Sequence, residues 1–103
     1  MCGIFGYIGN QNAAEILLDG LQRLEYRGYD SSGIGVVIND NQAITLKAPG
    51  KIQNLSSLVA SSSPQATVGI GHTRWATHGE PNTKNAHPHS DSSNQFSLIH
   101  NGI

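Results

Sequence analysis

Residues 2–9 read CGIFGYIG, an apolar run with glycine at positions 3, 6 and 9. Glycine within such a run marks close backbone approach, and eight residues are too few for a stable helix, so a strand buried on both faces is predicted. Working outward, Ala14, Leu17, Leu21 and Leu24, with Ile16 alongside, recur at three- and four-residue spacing between Asn12 and Tyr26. That spacing is one face of a helix, with Asn12 suited to cap its start and Gly28 to stop it. The β-rich run Gly33–Ile38 leads through Asn39-Asp40-Asn41, typical turn residues, to a further strand around Ala43–Lys47. This pairing is read as a hairpin.

Residues 51–60 fit a short helix through Ile52, Leu55, Leu58 and Val59, closed by the serine-rich stretch Ser61–Pro64. Thr67–Trp75 returns to β character. A polar segment from Thr77 to Asn94 follows, rich in His, Asn, Pro and Ser, and then the apolar run Phe96–Ile99. No internal repeat interrupts this order. The chain has 103 residues, enough for one domain or part of one, burying about 60–65% of its unfolded surface.

Hydrophobic residues make up 37% and charged residues 13%, a globular balance rather than a disordered one. Six Lys and Arg against seven Asp and Glu leave a formal charge of −1 with no basic run, which argues against nucleic acid as a partner. Nothing approaches the ~20 apolar residues that a membrane-spanning helix needs, and the N-terminus lacks signal-peptide order, so a cytoplasmic protein without membrane contact is expected.

One cysteine leaves no internal disulfide, only a packing thiol or a reactive one. Cys2 follows the initiator Met1 and precedes Gly3. A small second residue permits removal of the methionine, which would place a thiol and a free α-amine on one residue. Free α-amines titrate near about 7.7–8.0 and free thiols near about 8.5, so proton exchange between them at neutral pH needs no second base. The plainer reading is a small buried residue on a strand.

GHTRWATHG, residues 71–79, sets His72 and Arg74 on one face of an extended chain and Thr73 and Trp75 on the other. A guanidinium at a strand end beside the hydroxyl of Thr77 suits the α-carboxylate of an amino acid. The alternative is a surface arginine with His72 and Trp75 packed in the core. Asn101-Gly102 offers a side-chain amide next to an unobstructed backbone N–H, as an oxyanion requires, although the same pair also makes tight turns. Arg27-Gly28-Tyr29-Asp30-Ser31 is a polar cluster after the first helix, and by itself it reads better as a cap followed by a loop than as a site. The five histidines, His72, His78, His87, His89 and His100, do not follow a usual zinc spacing, so no metal is expected.

Taken in order, CGIFG, LEYRGYDSSG, GHTRWATHGEP, NAHPH and HNGI resemble the class II glutamine amidotransferases. Among these, RGYDS and the tryptophan of HTRWATHG are similar to the glutaminase domain of the glutamine-fructose-6-phosphate aminotransferase (isomerizing) family. The resemblance implies an α+β fold, the N-terminal-nucleophile hydrolase four-layer αββα sandwich with antiparallel sheets. It implies that residues 1–103 are a partial domain, truncated at its C-terminal end and lacking the isomerase domains. By the same resemblance Cys2 attacks glutamine, and Asn101 and Gly102 hold the oxyanion. Arg74 and Thr77 contact the substrate, Trp75 and His78 lie on a closing loop, and His87 lies near the pocket. Arg27 supports Asn101, with Gly28 beside it. L-glutamine and fructose 6-phosphate are the implied small-molecule partners, the second through the isomerase part, in a homo-oligomeric parent without a cofactor. The readings left beside it are another class II amidotransferase, phosphoribosylpyrophosphate-using, and a non-catalytic β-rich module that binds amino acids or a metal through Arg74 and the histidines.

Overall fold

The computed structural model describes residues 2–39, 42–76 and 79–100. Its elements are β1 (Gly3–Ile8), α1 (Ala13–Arg23), a short 3-10 turn (Glu25–Arg27), β2 (Ser31–Asn39), β3 (Gln42–Pro49), α2 (Ile52–Ser62), β4 (Val68–Arg74), β5 (His89–Ser90) and β6 (Ser97–Leu98). The first four strands form one antiparallel sheet in the order β1-β4-β2-β3. The predicted β2–β3 hairpin is present, while Asp40 and Asn41 of its expected turn lie outside the described residues.

Helix α1 begins where the sequence places it: the Asn12 side chain accepts a hydrogen bond from Ala14 N at 3.0 Å, satisfying one of the orphan donors of the first turn. It ends at Arg23, and the chain continues through the 3-10 turn to Gly28, whose φ of 82° favours a residue without Cβ. Lys51 precedes α2 without a side-chain cap. Tyr29 takes that role from a distance, its hydroxyl accepting from Ile52 N at 2.8 Å and donating to Glu25 Oε2 at 3.1 Å. The entry to α2 is thereby tied to the segment after α1.

Both helices cover the same face of the sheet. Leu17, Leu21, Ile34 and Leu55 are fully buried there, with Val36, Ala48, Ile52 and Val59 around them. Each of the leucine, isoleucine and valine side chains contributes about 1.5–3 kcal/mol by leaving water. The glycine pair Gly69 and Gly71 on central β4 lets α1 seat directly on the sheet: a Cβ at Gly69 would lie 2.7 Å from Leu17 Cδ1 and 2.8 Å from the Gly35 carbonyl.

The opposite face is partly covered by residues 79–98. At Gly33 a Cβ would stand 2.1 Å from the His87 carbonyl oxygen, and the Thr45 hydroxyl bonds to those of Ser90 (2.6 Å) and Ser97 (3.2 Å). This cover lies over β2 and β3 and leaves much of β1 bare. The expectation that residues 2–9 are buried on both faces is therefore corrected: Ile4 and Ile8, on the far side of β1 from α1, are 65% and 81% exposed. The edge position of β1 explains the difference, because one lateral side and one face have no neighbouring element among the described residues.

Candidate active site

The chemistry-bearing residues gather at one end of the less-covered face, where β1 begins and β4 finishes. Gly3 pairs with Thr73, so Cys2 lies beside the residues that follow β4. Its Sγ accepts a hydrogen bond from Trp75 N at 3.3 Å and lies 3.8 Å from Trp75 O. The thiol is half-buried, so a small molecule can reach it.

Arg74 is only 7% exposed, and its Nη1 donates to the Glu80 carbonyl at 3.3 Å. Asn85 Nδ2 donates to the same carbonyl at 2.9 Å, drawing residues 79–85 together beside the guanidinium. His72, on the same face of β4, is fully buried, so this part of the alternation is as read from sequence. The reading of a surface Arg74 with Trp75 in the core is corrected: the arginine is buried and Trp75 is 49% exposed, because β4 ends at Arg74 and the chain turns outward.

His87 packs edge-on against His72, with ring centroids 4.6 Å apart, and against His89 at 4.4 Å. His72 Nδ1 and Nε2 and His87 Nδ1 have no hydrogen-bond partner among the described residues. Burial, followed by repulsion from His87, Arg74 and His89, lowers the His72 pKa to about 4. Burial, then His89, Arg74, Lys47 and His100, lowers His87 to about 4 as well. Both rings are neutral at physiological pH. Among the described residues no group of three or more His, Cys, Asp or Glu is placed to hold a metal ion.

Of the other predicted positions, Arg27 sits half-buried in the 3-10 turn, and Gly28 closes that turn with its N–H on Glu25 O at 3.0 Å. Thr77, His78, Asn101 and Gly102 lie outside the described residues. Sequence reasoning did not assign Asp30, which binds the chain on both sides of Trp75. Its N–H donates to Arg74 O at 2.7 Å, and its Oδ2 accepts from Ala76 N at 2.7 Å. The only signal was an acidic residue just ahead of a strand. An open cleft of about 580 Å³, lined by Asn10, Gln11, Val37, Gln65 and Val68 among others, lies at the opposite end of the sheet and contains none of these groups.

The fold is the N-terminal-nucleophile type found in glutamine amidotransferases. It superposes on glutamine phosphoribosylpyrophosphate amidotransferase from B. subtilis with a TM-score of 0.71 and 26% identity, covering 91% of this chain and 20% of that one. The described residues supply one helical layer and one sheet layer of that fold, with the β5–β6 ribbon on the other side. In sequence the chain is similar along its whole length to glutamine-fructose-6-phosphate aminotransferase (isomerizing), at 57% identity for the enzyme of Staphylococcus aureus strain Mu50 and 56% for that of Staphylococcus epidermidis strain ATCC 12228. It spans 17% of the length of those enzymes. No protein-family model matches.

No helix among the described residues is long and apolar enough to cross a membrane.

Proposed function

We propose that the chain carries the nucleophile and part of the substrate pocket of a glutaminase site, and that Cys2 acts once Met1 is removed. The observation that carries this reading is the juxtaposition of Cys2 Sγ with the backbone of Trp75 at the ends of two adjacent strands, 3.3 Å from Trp75 N. Sγ attacks the side-chain carbonyl carbon of glutamine while its proton passes to the α-amine of Cys2. Asn101 and the Gly102 N–H hold the oxyanion. The C–N bond then breaks, the α-amine returns the proton to the leaving nitrogen, and ammonia departs. Water hydrolyses the thioester, giving glutamate and regenerating the thiol.

Arg74 and Thr77 contact the glutamine carboxylate side, Trp75 and His78 lie on the closing loop, and His87 borders the pocket. Arg27 supports Asn101, and Gly28 adjoins it. Residues 1–103 are the front part of this glutaminase domain. In the whole protein the ammonia goes to fructose 6-phosphate, making glucosamine 6-phosphate in a cytoplasmic homo-oligomer. The identity of 57% to the aminotransferases against 26% to the phosphoribosylpyrophosphate enzyme favours this acceptor.

The test is glutamine hydrolysis by the intact protein, with and without one extra residue ahead of Cys2. Loss of hydrolysis on extension is expected, and full activity with the amine blocked would refute the mechanism. Ammonia transfer to fructose 6-phosphate, compared with phosphoribosylpyrophosphate, decides the acceptor.

A further inference from the structure

Three bonds converge on Asp30. Besides donating to Arg74 O and accepting from Ala76 N, both at 2.7 Å, its carbonyl accepts from Gly50 N at 2.8 Å, the residue after β3. Asp30 therefore joins the beginning of β2, the end of β3 and the end of β4. The bonds to Arg74, at the end of β4, and to Ala76 beyond it bracket Trp75, whose N–H reaches Cys2 Sγ at 3.3 Å. Trp75 itself is half exposed, so burial of its side chain does little to fix its backbone.

We propose that Asp30 is a positioning residue for the nucleophile. By pinning Arg74 and Ala76 it keeps the N–H of Trp75 aimed at Cys2 Sγ, and it holds Arg74 at the strand end from which its guanidinium extends. A backbone N–H directed at sulfur holds Sγ in one place and leaves a fixed direction from which it can attack. What Asp30 must supply is an acceptor oxygen at the right place, not a negative charge and not a proton. Asn at this position keeps the oxygen, whereas Ala removes it.

The test uses the intact protein and two readouts, the rate of Cys2 alkylation by iodoacetamide, followed by peptide mass spectrometry, and the kinetics of glutamine hydrolysis. Asp30→Ala is expected to slow alkylation about tenfold, because the sulfur is no longer held in one place. It is expected to lower kcat on the order of 10²-fold, as a small misplacement at a reacting centre does, with KM changed less than about threefold. Asp30→Asn is expected to restore most of both rates. Ala76→Pro, which removes the N–H that Asp30 receives, should slow alkylation as Asp30→Ala does, and the double variant should be no slower than the worse single one.

Native alkylation in Asp30→Ala would overturn the proposal, as would an Asp30→Asn variant as slow as Asp30→Ala, since that result assigns the effect to charge. If Asp30→Ala does not fold, Asp30→Asn and Ala76→Pro decide the matter on the same criteria. The kcat arm rests on the glutaminase reading, but the alkylation arm does not: a native protein that fails to hydrolyse glutamine refutes that reading and leaves the alkylation comparison intact.

Discussion

The two faces of the sheet do different work with the same strands. The helical face is closed by Leu17, Leu21, Ile34 and Leu55, all fully buried, against a central strand stripped to glycine at positions 69 and 71. The other face carries Arg74, His72 and His87 with Cys2 at its end; His72 Nδ1 and Nε2 and His87 Nδ1 have no hydrogen-bond partner among the described residues, and Ile4 and Ile8 are exposed on the same side. A saturated core on one side fixes the strands well enough for the other side to hold groups that packing alone would not tolerate. The sheet is the shared element, and the second face is where the proposed nucleophile, Cys2, lies.

That contrast breaks first, and most strongly, at Cys2. Cys2→Ala should lower glutamine hydrolysis by the intact protein on the order of 10³-fold or more while leaving its circular dichroism unchanged, since the half-buried thiol contributes little to packing. Leu21→Ala on the helical face should do the opposite. It is expected to cost about 2–5 kcal/mol in denaturant unfolding and, below the transition, to leave kcat near its native value.

Arg74→Lys returns to the reactive face and replaces a planar fork with a point charge. A loss of about 1.5–3 kcal/mol, read from kcat/KM for glutamine, is expected.

The histidines give the smallest and most gradual effect. His72 and His87 titrate at about 4 when folded and near the ordinary 6.5 when unfolded. The unfolded state therefore holds more protons between those values, and stability falls as pH drops from 6.5 towards 4. Each histidine contributes a slope of at most about 1.4 kcal/mol per pH unit, and none above 6.5. Unfolding midpoints across this range, with His72→Gln and His87→Gln for comparison, check the sign. A midpoint that rises on acidification would place these rings in a charged setting, contrary to the structure.

Much of the helical face was legible in the sequence, because local patterns specify it. Asn12, Leu17 and Leu21 write out the start and the buried face of α1, whereas Gly28, read as its stop, closes the 3-10 turn beyond the helix end at Arg23; the β2–β3 hairpin joins neighbours in the chain. The alternation along β4 also placed His72 and Arg74 together correctly. What could not be read comes from contacts distant in sequence. The pairing of β1 with β4, sixty to seventy residues apart, makes β1 an edge and exposes Ile4 and Ile8, whereas a run of apolar residues alone reads as buried. The stacking of His72 on His87 depends on a backbone crossing at Gly33 that no spacing rule contains. Asp30 looked like a loop residue because its role is made almost entirely of bonds to Arg74, Ala76 and Gly50. The roles of Asn101, Gly102, Thr77 and His78 stand on resemblance to the aminotransferases.

The most direct test of the central claim is intact-mass analysis of the protein after treatment with a glutamine-analogue electrophile. A chain lacking Met1, a single adduct on Cys2, protection by glutamine, and no adduct when Met1 is retained are expected. Equal labelling with Met1 retained, or none at Cys2 after Met1 is gone, would contradict the claim.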